Sequence, residues 1–188
     1  MTCVTPDGSR YSGTVANGDF RIVRGSVTDQ PVEAIVNAAN TMMRGGGGID
    51  GRIHQLAGPR MLEDLRRVAK KGAQVAEPVV TPGFDLPQKW VIHVAGPIWR
   101  GGDQGDDDLL LAAYRNCVAI AVERGFGSLA FCSLSTGSFR FPKERAANLV
   151  VPLLKKEAEE HEIEIVLALY GLEEYDLFSG IGRSTDSI

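Results

Sequence analysis

Surplus positive charge is the first thing this chain lacks. Its 20 Lys+Arg stand against 24 Asp+Glu over 188 residues, a formal net charge of −4. That speaks against a broad basic footprint for duplex nucleic acid, though not against one nucleotide held in a pocket. Long apolar runs are missing as well. Nowhere do about 18 apolar residues follow one another, so no membrane-spanning helix is expected. The opening MTCVTPDGSR has neither a basic start nor an apolar stretch, so no secretory signal is expected and the reading is cytoplasmic. Cysteine is scarce: Cys3, Cys117 and Cys132 form no pair at metal or redox spacing, which suits a reducing compartment. No metal-ligand cluster appears elsewhere, so neither metal nor cofactor is expected.

What is present is an ordinary apolar fraction, 44%, enough for one compact domain and against wholesale disorder. One count is unusual. There are 22 glycines, and four of them are consecutive, Gly45 to Gly48.

Along the chain, FRIVRGSV alternates weakly like a strand, and EAIVNAA is a short buried strand with Asn37 and Asn40 at its end. IDGRIHQLAG reads as a helix with Asp50 as candidate N-cap, and Pro59 starts another that Gly72 closes. VAEPVVTPGFDLP predicts a strand and turn, and KWVIHVAGP a clear strand. RGGDQGDDD is a polar loop whose last acids suit a helix N-terminus, before an apolar stripe through Leu110, Tyr114, Cys117 and Ala121. SLAFCSL is a strand and STGSFRFP a loop. Pro142 opens a helix to His161, in which Pro152 predicts a kink or a late start. IEIVLALY is the last strand, followed by a short helix over Glu173–Phe178. Alternating strands and helices indicate an α/β fold, a mainly parallel sheet covered on both faces. The expected division is an N-terminal extension over 1–19, with an added edge strand as one form of it, a domain over 20–178, and a flexible tail over 179–188.

The glycine run admits three readings. A flexible linker is the plainest, but the run lies between a buried strand and a patterned helix. Gly46, Gly48 and Gly51 match a dinucleotide fingerprint, yet that fingerprint follows its strand directly, and here Asn37 to Arg44 intervene. The third reading is an anion cradle: backbone amides of a glycine loop ahead of a helix N-terminus suit phosphates. Asp50 at the end of that loop would repel a phosphate, which makes sense if it acts on the ligand, for instance on a water beside a ribose. Asn37 and Asn40 add neutral groups for sugar hydroxyls. For Asp50, helix capping and chemistry both stay open.

AIVNAANTMMRGGGGIDGRIHQLAGP resembles the signature segment of the macrodomain family, in its MacroD-type hydrolase branch. GFDLP, VIHVAGPI, LSTGSFRFP, IVLALY and EEYDLF follow in order, so the resemblance covers Phe20 to Phe178. It implies a three-layer α/β/α sandwich with a mixed, mainly parallel central sheet and an ADP-ribose cleft at the strand ends. By that resemblance Gly47, Gly48 and Ile49 lie along the diphosphate and distal ribose, Asn40 holds the distal ribose, and Asp50 activates or positions water. Ser135, Thr136, Gly137 and Ser138 form the second phosphate-holding segment, and Phe139 covers the distal ribose. Tyr170 stacks on adenine, while Ser26, Val27, Asn37 and Ala38 belong to the lining. His54, one turn after Asp50, is a supporting residue or a structural one. For Phe139 and Tyr170, core packing stays open.

Three departures stand out. Gly25-Ser26-Val27-Thr28 replaces the family's Gly-Asp-Ile-Thr, removing the carboxylate expected to accept the adenine amine, so looser adenine selectivity or recognition by backbone amides is expected. Arg140 stands where glycine is common and reaches either a phosphate, an acidic side chain or only solvent. Cys132-Ser133 replaces a proline-containing lead, with no functional account. The implied activity is a hydrolase that removes mono-ADP-ribose from acidic side chains or deacetylates O-acetyl-ADP-ribose. A non-catalytic ADP-ribose reader and an ADP-ribose phosphatase are the alternatives. Expected partners are ADP-ribose, its esters and mono-ADP-ribosylated proteins, bound by a monomer with no membrane or duplex nucleic-acid surface.

Overall fold

The computed structural model describes residues 18–185, so residues 1–17 of the expected N-terminal extension lie outside the described residues. Six strands form one sheet: β1 (Phe20–Arg24), β2 (Ala34–Ala39), β3 (Val79–Pro82), β4 (Trp90–Ala95), β5 (Ser128–Phe131) and β6 (Glu164–Leu169). Their order is β1-β6-β5-β2-β4-β3, parallel throughout except where β3 runs antiparallel to β4. The apolar runs are continuous because the central strands are covered on both faces, as in parallel sheets generally.

Among the described residues there are five α-helices, α1 (Gly48–Ala57), α2 (Pro59–Val68), α3 (Asp106–Glu123), α4 (Lys143–His161) and α5 (Leu172–Thr185), the last of which follows β6. From β2 the chain crosses by α1 and α2 to β4 on one side, then returns by α3 to β5 and by α4 to β6 on the other. Right-handed crossovers in opposite directions put their helices on opposite faces of the sheet. The contacts agree, with α1 packed on α2, and α4 on both α3 and α5. The result is the expected α/β/α sandwich. Its functional consequence lies between β2 and β5, which are parallel neighbours. The loops leaving their C-terminal ends turn to opposite faces, which opens a crevice there.

The acids after the Gly-rich loop fall as expected, with Asp106, Asp107 and Asp108 in the first turn of α3. The late start expected from Pro152 does not occur: α4 begins right after Pro142 and runs past Pro152, which lies on its exposed side. The flexible tail expected over 179–188 needs correction over 179–185, while residues 186–188 lie outside the described residues. Helix α5 continues to Thr185 instead of stopping at Phe178. Phe178 is fully buried and Ile181 packs on the core, while Gly182 lies so close to β1 that a Cβ would sit 3.3 Å from Ile22 Cδ1. The Ser-Gly-Ile-Gly composition reads as a helix breaker, and tertiary packing overrides it.

Three polar side chains cross the sheet interior with no solvent exposure: Asn37, His93 and Thr81. Asn37 on β2 is in register with His93 on β4. The Thr81 hydroxyl donates to Pro82 O (3.1 Å) and so accepts from His93 Nε2 (2.9 Å). This assigns the His93 proton to Nε2 and leaves Nδ1 to accept from Asn37 Nδ2 at 3.0 Å. Burial, reinforced by nearby His54, pushes the His93 imidazole down to about 3 from 6.5.

Two outcomes follow from these packing relations. Ile181→Asp lowers unfolding free energy by about 1–3 kcal/mol, measured in urea, because it sets an unpaired charge against the core; an unchanged midpoint would mean that residues past 178 do not dock. Between pH 6.5 and about 3, an unfolded chain binds a proton at His93 that the folded chain refuses. Stability therefore falls as pH drops through that window, by up to about 1.4 kcal/mol per unit for this group. His93→Gln, which keeps an acceptor and a donor, flattens that part of the stability–pH curve, and a curve of the same slope would refute the assignment.

Candidate functional site

The β2–α1 loop is shaped by three kinds of constraint, visible in its glycines. Gly45 and Gly48 have φ of 80° and 61°, the left-handed region. At Gly51 a Cβ would lie 2.6 Å from Gly46 O, and at Gly46 it would lie 3.0 Å from Asp50 Oδ2 and 3.4 Å from Asn40 Nδ2. Gly47 differs from its neighbours. Its φ is −98° and a Cβ there would meet nothing within 4 Å, so no protein contact accounts for a missing side chain. The loop ends on the free amides of the α1 N-terminus, which attract anions.

Asn40 braces this loop from inside. Its Oδ1 accepts from Met42 N (3.0 Å) and its Nδ2 donates to Gly45 O (3.0 Å), which leaves one amide hydrogen on the Gly46 side. Asp50 is not the helix cap. Gly47 holds that position, and Asp50 lies in the first turn of α1 with its side chain turned inward, 4% exposed. Asp50 Oδ1 accepts the second Asn37 N–H at 2.7 Å. His54 Nε2 lies 3.4 Å from the same oxygen without forming a hydrogen bond, and its ring also lies beside Gly45. Oδ2 faces Gly46 and takes no hydrogen bond from the described residues. Thus Asn37 fixes one oxygen of the carboxylate with His54 alongside, and the other is presented beside the Asn40 amide.

A cavity of about 690 Å³ adjoins this loop across the ends of β1, β6 and β5. Of the expected ligand-binding residues, Ser26, Val27, Gly48, Ile49, Thr136, Gly137 and Tyr170 line it. Tyr170 is 84% exposed, so its core-packing alternative fails. Asn37, Ala38, Asn40, Gly47 and Asp50 stand at or behind its β2 edge and are not in its wall. Ser135, Ser138 and Phe139 also stay out of the wall. Ser135 is buried with φ 68°, and its hydroxyl faces Gly96, where a Cβ would lie 2.2 Å away. Phe139 is half-buried, and its carbonyl accepts from Trp99 N at 2.9 Å. Arg140 is exposed and lines nothing in the cavity. Its φ of 58° explains why the position suits glycine.

Several wall residues escape sequence reasoning. Arg52 lines the cavity and carries its one cationic side chain among the described lining residues. Its position three residues after Ile49, on the same helical face, was the available signal. Glu174 and Asp29 line it too, with no spacing pattern to announce them. Cys132 and Ser133 form part of the floor. Burial, and to a lesser extent the charges of Glu174 and Asp50, push the Cys132 thiol up to about 11, so it is no nucleophile at neutral pH. Beneath it the Tyr114 hydroxyl accepts from Leu134 N at 2.8 Å and anchors the loop after β5. Among the described residues no group of three His, Cys, Asp or Glu can hold a metal ion.

Comparison with known proteins fits this geometry. The Macro domain family profile matches residues 36–150, from within β2 to the middle of α4. An O-acetyl-ADP-ribose deacetylase from Enterobacter cloacae is 43% identical over 132 residues, 69% of this chain and 73% of that protein. The structure of the Oceanobacillus iheyensis macrodomain with ADP superimposes with a TM-score of 0.85 at 29% identity, covering 93% of this chain and 95% of that one. The crystal structure of the Trypanosoma brucei macrodomain in complex with ADP-ribose gives 0.78 at 35% identity, covering 86% and 68%. With this match running through the glycine loop, Asp50 and the crevice between β2 and β5, the chain belongs to the Macro domain family.

Proposed function

We propose that this macro domain binds ADP-ribose and hydrolyses esters on its distal ribose, as a member of the MacroD-type branch. Its substrates are mono-ADP-ribose on acidic side chains and O-acetyl-ADP-ribose. The observation that carries this reading is Asp50, a buried carboxylate set among amides that attract anions, with one oxygen held by Asn37 and the other beside Asn40. A module that only bound a diphosphate would gain nothing from a repelling charge there. The deacetylase among its relatives and the nucleotide ligands of its structural neighbours support the same reading.

In this mechanism the diphosphate lies on the amides of Gly47, Gly48 and Ile49 and of the Thr136–Gly137 turn. The remaining Asn40 N–H holds the distal ribose. A water bonds through its oxygen to the ester carbonyl carbon while Asp50 Oδ2 takes its proton. The bond from that carbon to the ribose oxygen then breaks. The ribose oxygen takes the proton held by Asp50, and free ADP-ribose and a carboxylic acid leave, the acid then losing its proton to water. Asn37 acts as a positioning residue for Asp50.

Asp50→Ala, and Asp50→Asn as the variant that keeps an acceptor for Asn37, retain ADP-ribose affinity and lose about 10²- to 10⁴-fold in turnover. Calorimetry measures the first, and chromatography of O-acetyl-ADP-ribose and a glutamate-linked ADP-ribosyl peptide the second. Native-level turnover in both variants would refute the role of Asp50. Tight ADP-ribose binding with neither substrate consumed by the native protein would make the domain a reader.

A further inference from the structure

We infer that the Glu174 carboxylate is the specificity-determining acceptor for the exocyclic amine of adenine in this cleft. The inference deepens the ADP-ribose reading and rests on it. Glu174 lies in the first turn of α5 and lines the same cavity as Ser26, Val27 and Tyr170. Its Oε1 is shut off from solvent yet receives no hydrogen bond. The neighbouring cation does not supply one, because Lys143 pairs with Glu173. An acceptor buried without a donor is costly, more so when charged. The other oxygen, Oε2, also takes no hydrogen bond from the described residues and is the one open to a ligand, so an N–H brought there offsets part of that cost.

Charge and topology decide which part of the ligand arrives there. Ser26, Tyr170 and Glu174 stand at the ends of β1 and β6, whereas Gly48 follows β2. These strands are two and three places apart in the sheet, roughly 10–15 Å at normal strand spacing. Carboxylates at the β1–β6 end repel a diphosphate, and amides at the β2 end attract one. The ligand therefore lies one way, with its phosphates on the glycine loop and its base against the exposed Tyr170 ring, a surface on which bases stack.

At that end the stronger acceptor is the Glu174 carboxylate, because Ser26 has given its hydrogen and one of its two lone pairs and keeps only one neutral lone pair. Thr28 Oγ1 donates to Asp29 Oδ1 (3.3 Å), so the Ser26 hydroxyl donates to Thr28 Oγ1 (2.8 Å). The same hydroxyl accepts from Thr28 N (3.3 Å) as cap of the short 3-10 turn Val27–Asp29. Asp29 is exposed, so water competes for its oxygens. Adenine presents an amine to Glu174, whereas a 6-keto purine would set its oxygen against the carboxylate lone pairs. Selectivity is thus kept through Glu174, in place of the loosening expected from Ser26.

The test is calorimetric titration of the whole chain with ADP-ribose and with inosine diphosphate ribose, in native protein, Glu174→Gln and Ser26→Ala. The native protein prefers ADP-ribose by about tenfold or more, as sites with a dedicated buried partner do. In the near-isosteric Glu174→Gln that ratio falls toward one, because the new amide donates to the 6-keto oxygen, while Ser26→Ala keeps the native ratio. An unchanged ratio in Glu174→Gln, a ratio lost in Ser26→Ala instead, or equal affinities in the native protein each overturn the inference and leave the ADP-ribose reading standing. Failure of the native protein to bind either nucleotide overturns both.

Discussion

Asn37 has two amide hydrogens and spends them in different layers of the molecule, one on Asp50 in α1 and one on His93 in β4. The arrangement works only while His93 Nδ1 has a lone pair to offer, and Thr81 secures that by taking the proton on Nε2. A chain of four side chains thus ties the antiparallel edge strand, through two central strands, to the first turn of a helix. The carboxylate at its end is oriented by the sheet and not by the loop that surrounds it. With no exposure at Asn37, Thr81 or His93, water cannot replace a missing member, and each one is held to its hydrogen-bonding role.

The cleft handles charge with very little charge of its own. Arg52 is the single cationic side chain among the described residues of the wall, and it is exposed and hydrogen-bonded to Gln55. Attraction for an anion falls instead to backbone amides in the β2–α1 and β5–α4 loops. Carboxylates mark the two places where phosphate is unwelcome, Asp50 behind the glycine loop and Glu174 at the far end. This distribution squares an acidic protein with an anionic ligand, since amides confer direction without long-range attraction for polyanions.

The fold was legible because its signals are redundant: EAIVNAA, VIHVAG and EIVLAL are mostly apolar, and the two long helices α3 and α4 each carry an apolar stripe. The glycine loop was legible too, since four consecutive glycines beside two asparagines and an aspartate have few uses. What stayed hidden depends on distance through space. Nothing local says that Asp50 turns inward to a β2 asparagine instead of capping its helix, or that His93, forty-three residues on, completes the same network. SGIG reads as a chain end until α5 packs on β1 and α4. Arg52 and Glu174 belong to elements far apart in the chain, and only the order β1-β6-β5-β2 brings them to one wall.

Glycine composition alone would suggest a loop that adapts around its ligand. Its surroundings imply otherwise. The Gly46 carbonyl rests on the Cα of Gly51 in the following helix, and Asn40 ties both ends of the turn from within. The freedom that glycine brings to the unfolded chain is therefore surrendered when the domain folds, long before any ligand arrives. Association then finds its cradle already set and loses little further backbone entropy, so the residues most flexible by nature act here as the rigid part of the recognition surface.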